Sequence, residues 1–123
     1  MTRQRNDDKS TEFGLWLRQQ KSIDSSLGYV ASNLDYIWCN YKTGQWMLIE
    51  EKRYRRQVRF VQQDLFRKID NCCKIDDKYK GFHIIIFENT GPEDGRIWLD
   101  GKLIDKCMLI KFLQFVFIGR LSD

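Results

Sequence analysis

Apolar residues recur along this chain in two rhythms, every second position and every third or fourth, and the switches between them mark out the elements. A first helix is predicted where Phe13, Trp16, Leu17 and Gln20 recur at helical spacing, behind Ser10 or Thr11 as a cap. Leu27 to Ala31, carrying Gly28, reads as a short strand or turn. Leu34 to Tyr41 and Trp46 to Arg53 are rich in aromatic and β-branched residues, and a turn at Gly44 makes them an expected antiparallel hairpin. Val58, Val61, Leu65, Ile69 and Cys72 then fall three and four apart, which predicts a helix with Arg59, Gln63, Arg67 and Asp70 on its outward side. Phe82 to Glu88, with three isoleucines in succession, reads as a strand covered on both faces at the centre of a sheet. A loop around Pro92 leads to a tight hairpin over Arg96 to Asp105, turning at Asp100-Gly101. An apolar helix over Cys107 to Gly119 closes the chain, and Met1 to Lys9, without apolar rhythm, is expected to be a flexible polar arm.

At 123 residues and 42% hydrophobic content the chain suits one core, so residues 10 to 123 are expected to form a single domain. The elements imply an α/β (α+β) class with a mixed central sheet. The final apolar run is too short to span a membrane and Lys111 interrupts it, so its apolar surface is expected against the sheet or in a homodimer. A net charge of +4 favours a polyanionic partner only weakly. The four cysteines lack a Cys-x-x-Cys pair and the chain has one histidine, a poor supply for zinc. They are expected to be reduced and mostly buried in a cytoplasmic protein.

Candidate chemistry lies where the strand rhythm should exclude charge. Asp35 starts one apolar run and Glu50-Glu51-Lys52 ends the next, although an ionised group buried without a partner is costly. Acid-x-Lys triplets also begin at Asp7, Asp76 and Asp100, but these fall in the arm, a polar loop and the hairpin turn. A period of two sets Glu50 and Lys52 on one face with Trp46 and Leu48, and Glu51 on the other with Met47 and Ile49. Two carboxylates suit Mg²⁺ or Mn²⁺, a lysine beside them can position or activate a water, and Arg53, Arg55, Arg56 and Arg59 follow where they would hold a nucleic-acid backbone. The plainer reading is an ion network on a strand edge. His83 reads as structural, and Trp16, Trp38, Trp46 and Trp98 as core or interface residues.

These residues resemble the PD-(D/E)xK, or restriction-endonuclease-like, superfamily, which includes restriction enzymes, Holliday-junction resolvases and small viral nucleases. Asp35 matches the family's strand aspartate and Glu50-Glu51-Lys52 its (D/E)-x-K, with Leu34 in place of the proline. Over the first two thirds of the chain, the resemblance implies a core of helix, three strands, helix, strand. It also implies metal-dependent hydrolysis of phosphodiester bonds in DNA. Asp35 and Glu50 would then hold Mg²⁺ (or Mn²⁺), Glu51 would add its backbone carbonyl, and Lys52 would be the catalytic lysine. Some members add an acid from the first helix, here Glu12, and a glutamine after the lysine, here Gln62 or Gln63. The small size is similar to viral or mobile-element nucleases, implying the host cytoplasm. The alternative is a non-catalytic nucleic-acid-binding protein on the same fold.

Overall fold

The computed structural model describes residues 11–116, and the chain divides after Ser32 into two compact units. The expected arm over Met1 to Lys9 and the end of the apolar run, 117–119, lie outside the described residues. In the N-terminal unit, helix α1 (Glu12–Gln19) is capped by Thr11, whose hydroxyl accepts the Gly14 N–H at 3.0 Å. Two single 3₁₀ turns follow, Lys21–Ile23 and Ser25–Leu27. Of the two readings of Leu27 to Ala31, strand or turn, the structure shows the turn, at Gly28. Asp24 caps the second turn through the Ser26 N–H at 2.7 Å, and Gly28 leaves it in the left-handed region at φ 98°. Leu27, Tyr29 and Val30 remain more than half exposed, and no strand pairs with them among the described residues. Among the described residues, two strands therefore precede the next helix, not the three the resemblance implies.

The second unit runs β1 (Tyr36–Cys39), β2 (Trp46–Lys52), α2 (Phe60–Cys73), β3 (Tyr79–Phe87), β4 (Ile97–Leu99), β5 (Lys102–Ile104) and α3 (Lys106–Leu113). Its α+β architecture is a five-stranded mixed sheet in chain order, with β2 and β3 parallel and the other neighbours antiparallel. The apolar run of β3 takes the central position, as continuous hydrophobicity predicts. Asp100 and Gly101 both have positive φ, 50° and 85°, as the tight turn between β4 and β5 requires.

Alternation along β2 divides its side chains between two different surroundings. Met47 and Ile49 join Ile85, Phe87, Ile97 and Leu99 in a core closed by Leu109 and Phe112 of α3. The described part of the apolar C-terminal run is thus packed on the chain's own sheet, although Ile110 stays 54% exposed. The opposite face carries Leu48, Glu50 and Lys52 and is covered by α2, with Phe66 against Phe82 at 4.9 Å between ring centroids. Pairing between β2 and β3 shifts register near its start. Trp46 pairs with Tyr79 but Leu48 with Phe82, so β3 contains one extra residue beside Gly81, whose φ is 102°.

The helix α2 presents a different stripe from the expected one. Phe66 is buried, while Val61 and Ile69 are 49% and 43% exposed. Asp70, expected outward, is half-buried and accepts the Tyr79 hydroxyl at 2.5 Å. The cysteines are free thiols, but Cys39, Cys72 and Cys107 are exposed, contrary to the expected burial. No helix of the described residues is long and apolar enough to cross a membrane.

Candidate functional site

The ladder between β1 and β2 ends at the pair of Tyr36 and Ile49, leaving Glu50 and Glu51 beyond it. Asp35, one residue ahead of β1, takes over there with its side chain: Oδ2 accepts the Glu51 N–H at 2.9 Å. Glu50 is the one buried charged residue among the described residues, at 3% exposure. Its Oε2 lies 3.5 Å from Lys52 Nζ and accepts from Gln62 Nε2 at 3.3 Å. Asp35, Glu50 and Lys52 are therefore brought together, and Gln62 joins them from α2. Burial pushes the Glu50 carboxyl up to about 7, the Asp35 charge adds to the rise, and Lys52 opposes it.

Two buried oxygens of this cluster, Glu50 Oε1 and Gln62 Oε1, have no hydrogen-bond partner. Native interiors rarely leave such acceptors unmatched. Oxygen donors of this kind fit a hard cation such as Mg²⁺, which binds through one or two carboxylates and keeps several waters. Among the described residues no three His, Cys, Asp or Glu side chains converge. The oxygen donors that fit such an ion here are the carboxylates of Asp35 and Glu50 and the amide oxygen of Gln62.

The Glu51 side chain is held elsewhere, receiving the Tyr36 hydroxyl at 3.2 Å and Arg53 Nε at 3.1 Å. Glu12 belongs to the N-terminal unit, where it is exposed in the first turn of α1. Of the two candidate glutamines, Gln62 reaches Glu50 and Gln63 is exposed. Arg53 is paired with Glu51, and Arg55 with Glu88 at 2.6 Å. Arg56 and Arg59 are exposed, and their side chains make no ion pair among the described residues. The turn that carries this basic run begins with two left-handed residues, Tyr54 and Arg55, at φ 56° and 59°. Such residues cost roughly 1–2 kcal/mol each. Their N–H groups are fastened to the end of β3, on Asn89 O at 3.0 Å and Phe87 O at 2.9 Å.

His83 is structural, as expected. Its Nδ1 lies 2.7 Å from Asp100 Oδ2 and its Nε2 lies 2.8 Å from Lys80 O. Both ring nitrogens face acceptors, which favours the doubly protonated ring. Burial pulls its pKa down, but the hydrogen bond and charge of Asp100 outweigh it and the net direction is up. Of the tryptophans expected in the core or an interface, Trp16 and Trp38 are exposed, at 52% and 41%, while Trp98 packs against two arginines. It is half-buried, with the guanidinium carbons of Arg55 and Arg96 at 5.4 and 5.5 Å from its ring centre. Arg96 and Glu88, which complete this cluster, carried no signal in a sequence reading because they stand apart from the basic run.

Comparison with known proteins finds no matching family model, no similar curated protein and no similar solved structure.

Proposed function

We propose that the protein is a metal-dependent endonuclease of the PD-(D/E)xK type that hydrolyses phosphodiester bonds in DNA. One observation carries this reading: Asp35, Glu50 and Lys52 converge at the end of β2 around a buried carboxylate with an unpartnered oxygen. The order β1, β2, α2, β3 supports a restriction-endonuclease-like core that lacks the family's first strand.

In this reading Asp35 and Glu50 hold Mg²⁺ or Mn²⁺, helped by Gln62 and the Glu51 carbonyl. Bound there, the ion supplies charge neutralisation at the phosphate and makes water a better nucleophile. Glu50 ionises to take up this role, and the Gln62 amide and the Lys52 ammonium hold its Oε2 in place. Lys52 brings a positive charge that orients the attacking water and offsets charge on the phosphate. Arg56 and Arg59 contact the nucleic-acid backbone from the turn beyond the site.

A plasmid-nicking assay with Mn²⁺ tests the reading. Asp35→Ala and Lys52→Ala should each lower cleavage by about 100-fold or more. Mn²⁺ should also raise the melting temperature of the parent and not that of Asp35→Ala. Cutting that survives both substitutions ends the assignment. Salt-sensitive DNA binding by a parent that never cuts would favour the non-catalytic alternative.

A further inference from the structure

Pairing register places an aromatic side chain on the same face as the proposed catalytic lysine. Lys52 lies opposite Ile86, Ile86 opposite Trp98, and Trp98 opposite Leu103, so these four form one row across one face of the sheet. With neighbouring strands about 4.8 Å apart, the Trp98 backbone stands about 10 Å from that of Lys52. The contact of α2 with Phe82 lies toward the other end of β3, and Leu103 at the end of the row is 59% exposed. Over Ile86 and beside Trp98 there is instead a cavity of about 220 Å³, lined also by Arg55, Gln57 and Gly101.

Its chemistry is specific. Ile86 lends an apolar group and Trp98 an indole, and the Arg55 guanidinium lies over that indole at 5.4 Å, so an entering base would take the place of an arginine on the ring. Gln57 adds an amide that can both donate and accept. Arg55 and Arg96 share one carboxylate, Glu88, whose pKa they hold down at about 2 through hydrogen bonds, led by those from Arg96. Two positive groups against one negative leave the cluster cationic. A flat π-ring attached to an anionic backbone matches this combination, because bases stack on indoles and guanidiniums alike. A duplex keeps its bases stacked inward and would not fill the cavity without extruding one.

We propose that the Trp98 cavity is a subsite for an unpaired nucleobase next to the scissile phosphate, so that the substrate is single-stranded or locally unpaired DNA. The inference takes its substrate class from the nuclease reading above, but it is tested by binding alone. A short labelled oligonucleotide, single-stranded or as the duplex, is titrated in EDTA by fluorescence anisotropy against the parent, Trp98→Phe and Trp98→Leu, with a melting curve for each protein. The phenylalanine keeps a ring and the leucine keeps apolar bulk without one. Trp98→Leu should bind the single strand about tenfold more weakly and Trp98→Phe close to the parent, while duplex affinity stays within about twofold throughout. Equal single-strand affinity for folded parent and Trp98→Leu overturns the subsite and leaves an ordinary surface cation–π cluster; equal losses on single strand and duplex overturn it too. A parent that cuts with Mn²⁺ but shows no Trp98 effect fails this inference alone. A parent that never cuts but prefers single strands through Trp98 fails the nuclease reading alone.

Discussion

Two neighbouring residues of β2, Ile49 and Glu50, are buried almost equally, at 4% and 3% exposure, on opposite faces of the sheet. Ile49 belongs to the apolar cluster closed by α3, beside its register partner His83, and its burial stabilises the fold. Glu50 brings a carboxylate into the interior with one oxygen unmatched, and its burial works against the fold at neutral pH. Equal burial thus has opposite energetic signs one residue apart. The first face makes the sheet stable enough to tolerate the second, which is the arrangement expected where a protein retains strained groups for chemistry.

The contrast is broken most severely on the apolar face. Phe112→Ala, at a position with 0% exposure, should cost about 3–5 kcal/mol in urea unfolding. A loss under about 1 kcal/mol would mean that α3 does not close the core.

On the other face the sign reverses. The Glu50 pKa is raised from 4.5 to about 7, so between those values the folded state binds more protons than the unfolded one. Stability contributed by the protonated form is present below about pH 4.5 and lost as pH rises to about 7. Glu50→Gln should flatten that slope, stabilise the protein by roughly 2–3 kcal/mol in EDTA at pH 8, and abolish cleavage when Mn²⁺ is added. Parallel pH profiles for parent and variant would show that Glu50 is not destabilising.

His83 sharpens the comparison with the smallest effect. Its folded pKa is raised above the ordinary 6.5, so its contribution is complete below that pH and fades as pH climbs through the folded value. His83→Gln should cost about 1–2 kcal/mol at pH 6 and less at pH 9, as thermal melts at the two values would reveal. A deficit that grows with pH would contradict the imidazolium.

The strands were legible from runs of aromatic and β-branched residues, β3 from its continuous hydrophobicity, and Asp100-Gly101 because few residues tolerate its turn. Asp35, Glu50 and Lys52 were legible as charges out of place, and the alternation correctly paired Glu50 with Lys52. The face of α2 was not. Val61 and Ile69 fit a helical stripe as well as Gln62 and Phe66 do, and the two stripes differ by a rotation of one residue, about 100°. The choice rests on Phe66 meeting Phe82 and Gln62 meeting Glu50, contacts between segments distant in sequence. The arginines over Trp98 were hidden for a similar reason: Arg55 and Arg96 come to it from separate segments. Leu27 to Ala31 has strand-like residues but pairs with no strand among the described residues, and Gly28 turns it instead.

The extra residue beside Gly81 sets a limit on insertions and deletions. Because side chains alternate, losing one residue between Tyr79 and Phe82 would carry His83, Ile85 and Phe87 to the α2 face and turn Ile84 and Ile86 toward α3. Every residue opposite β2 would change sides at once, a larger disturbance than any single substitution there. The turn at 40–45, closed by the Asn40 N–H on Gln45 O at 2.9 Å, sets the register of β1 on β2 in the same way, so a change in its length would move Asp35 away from Glu51.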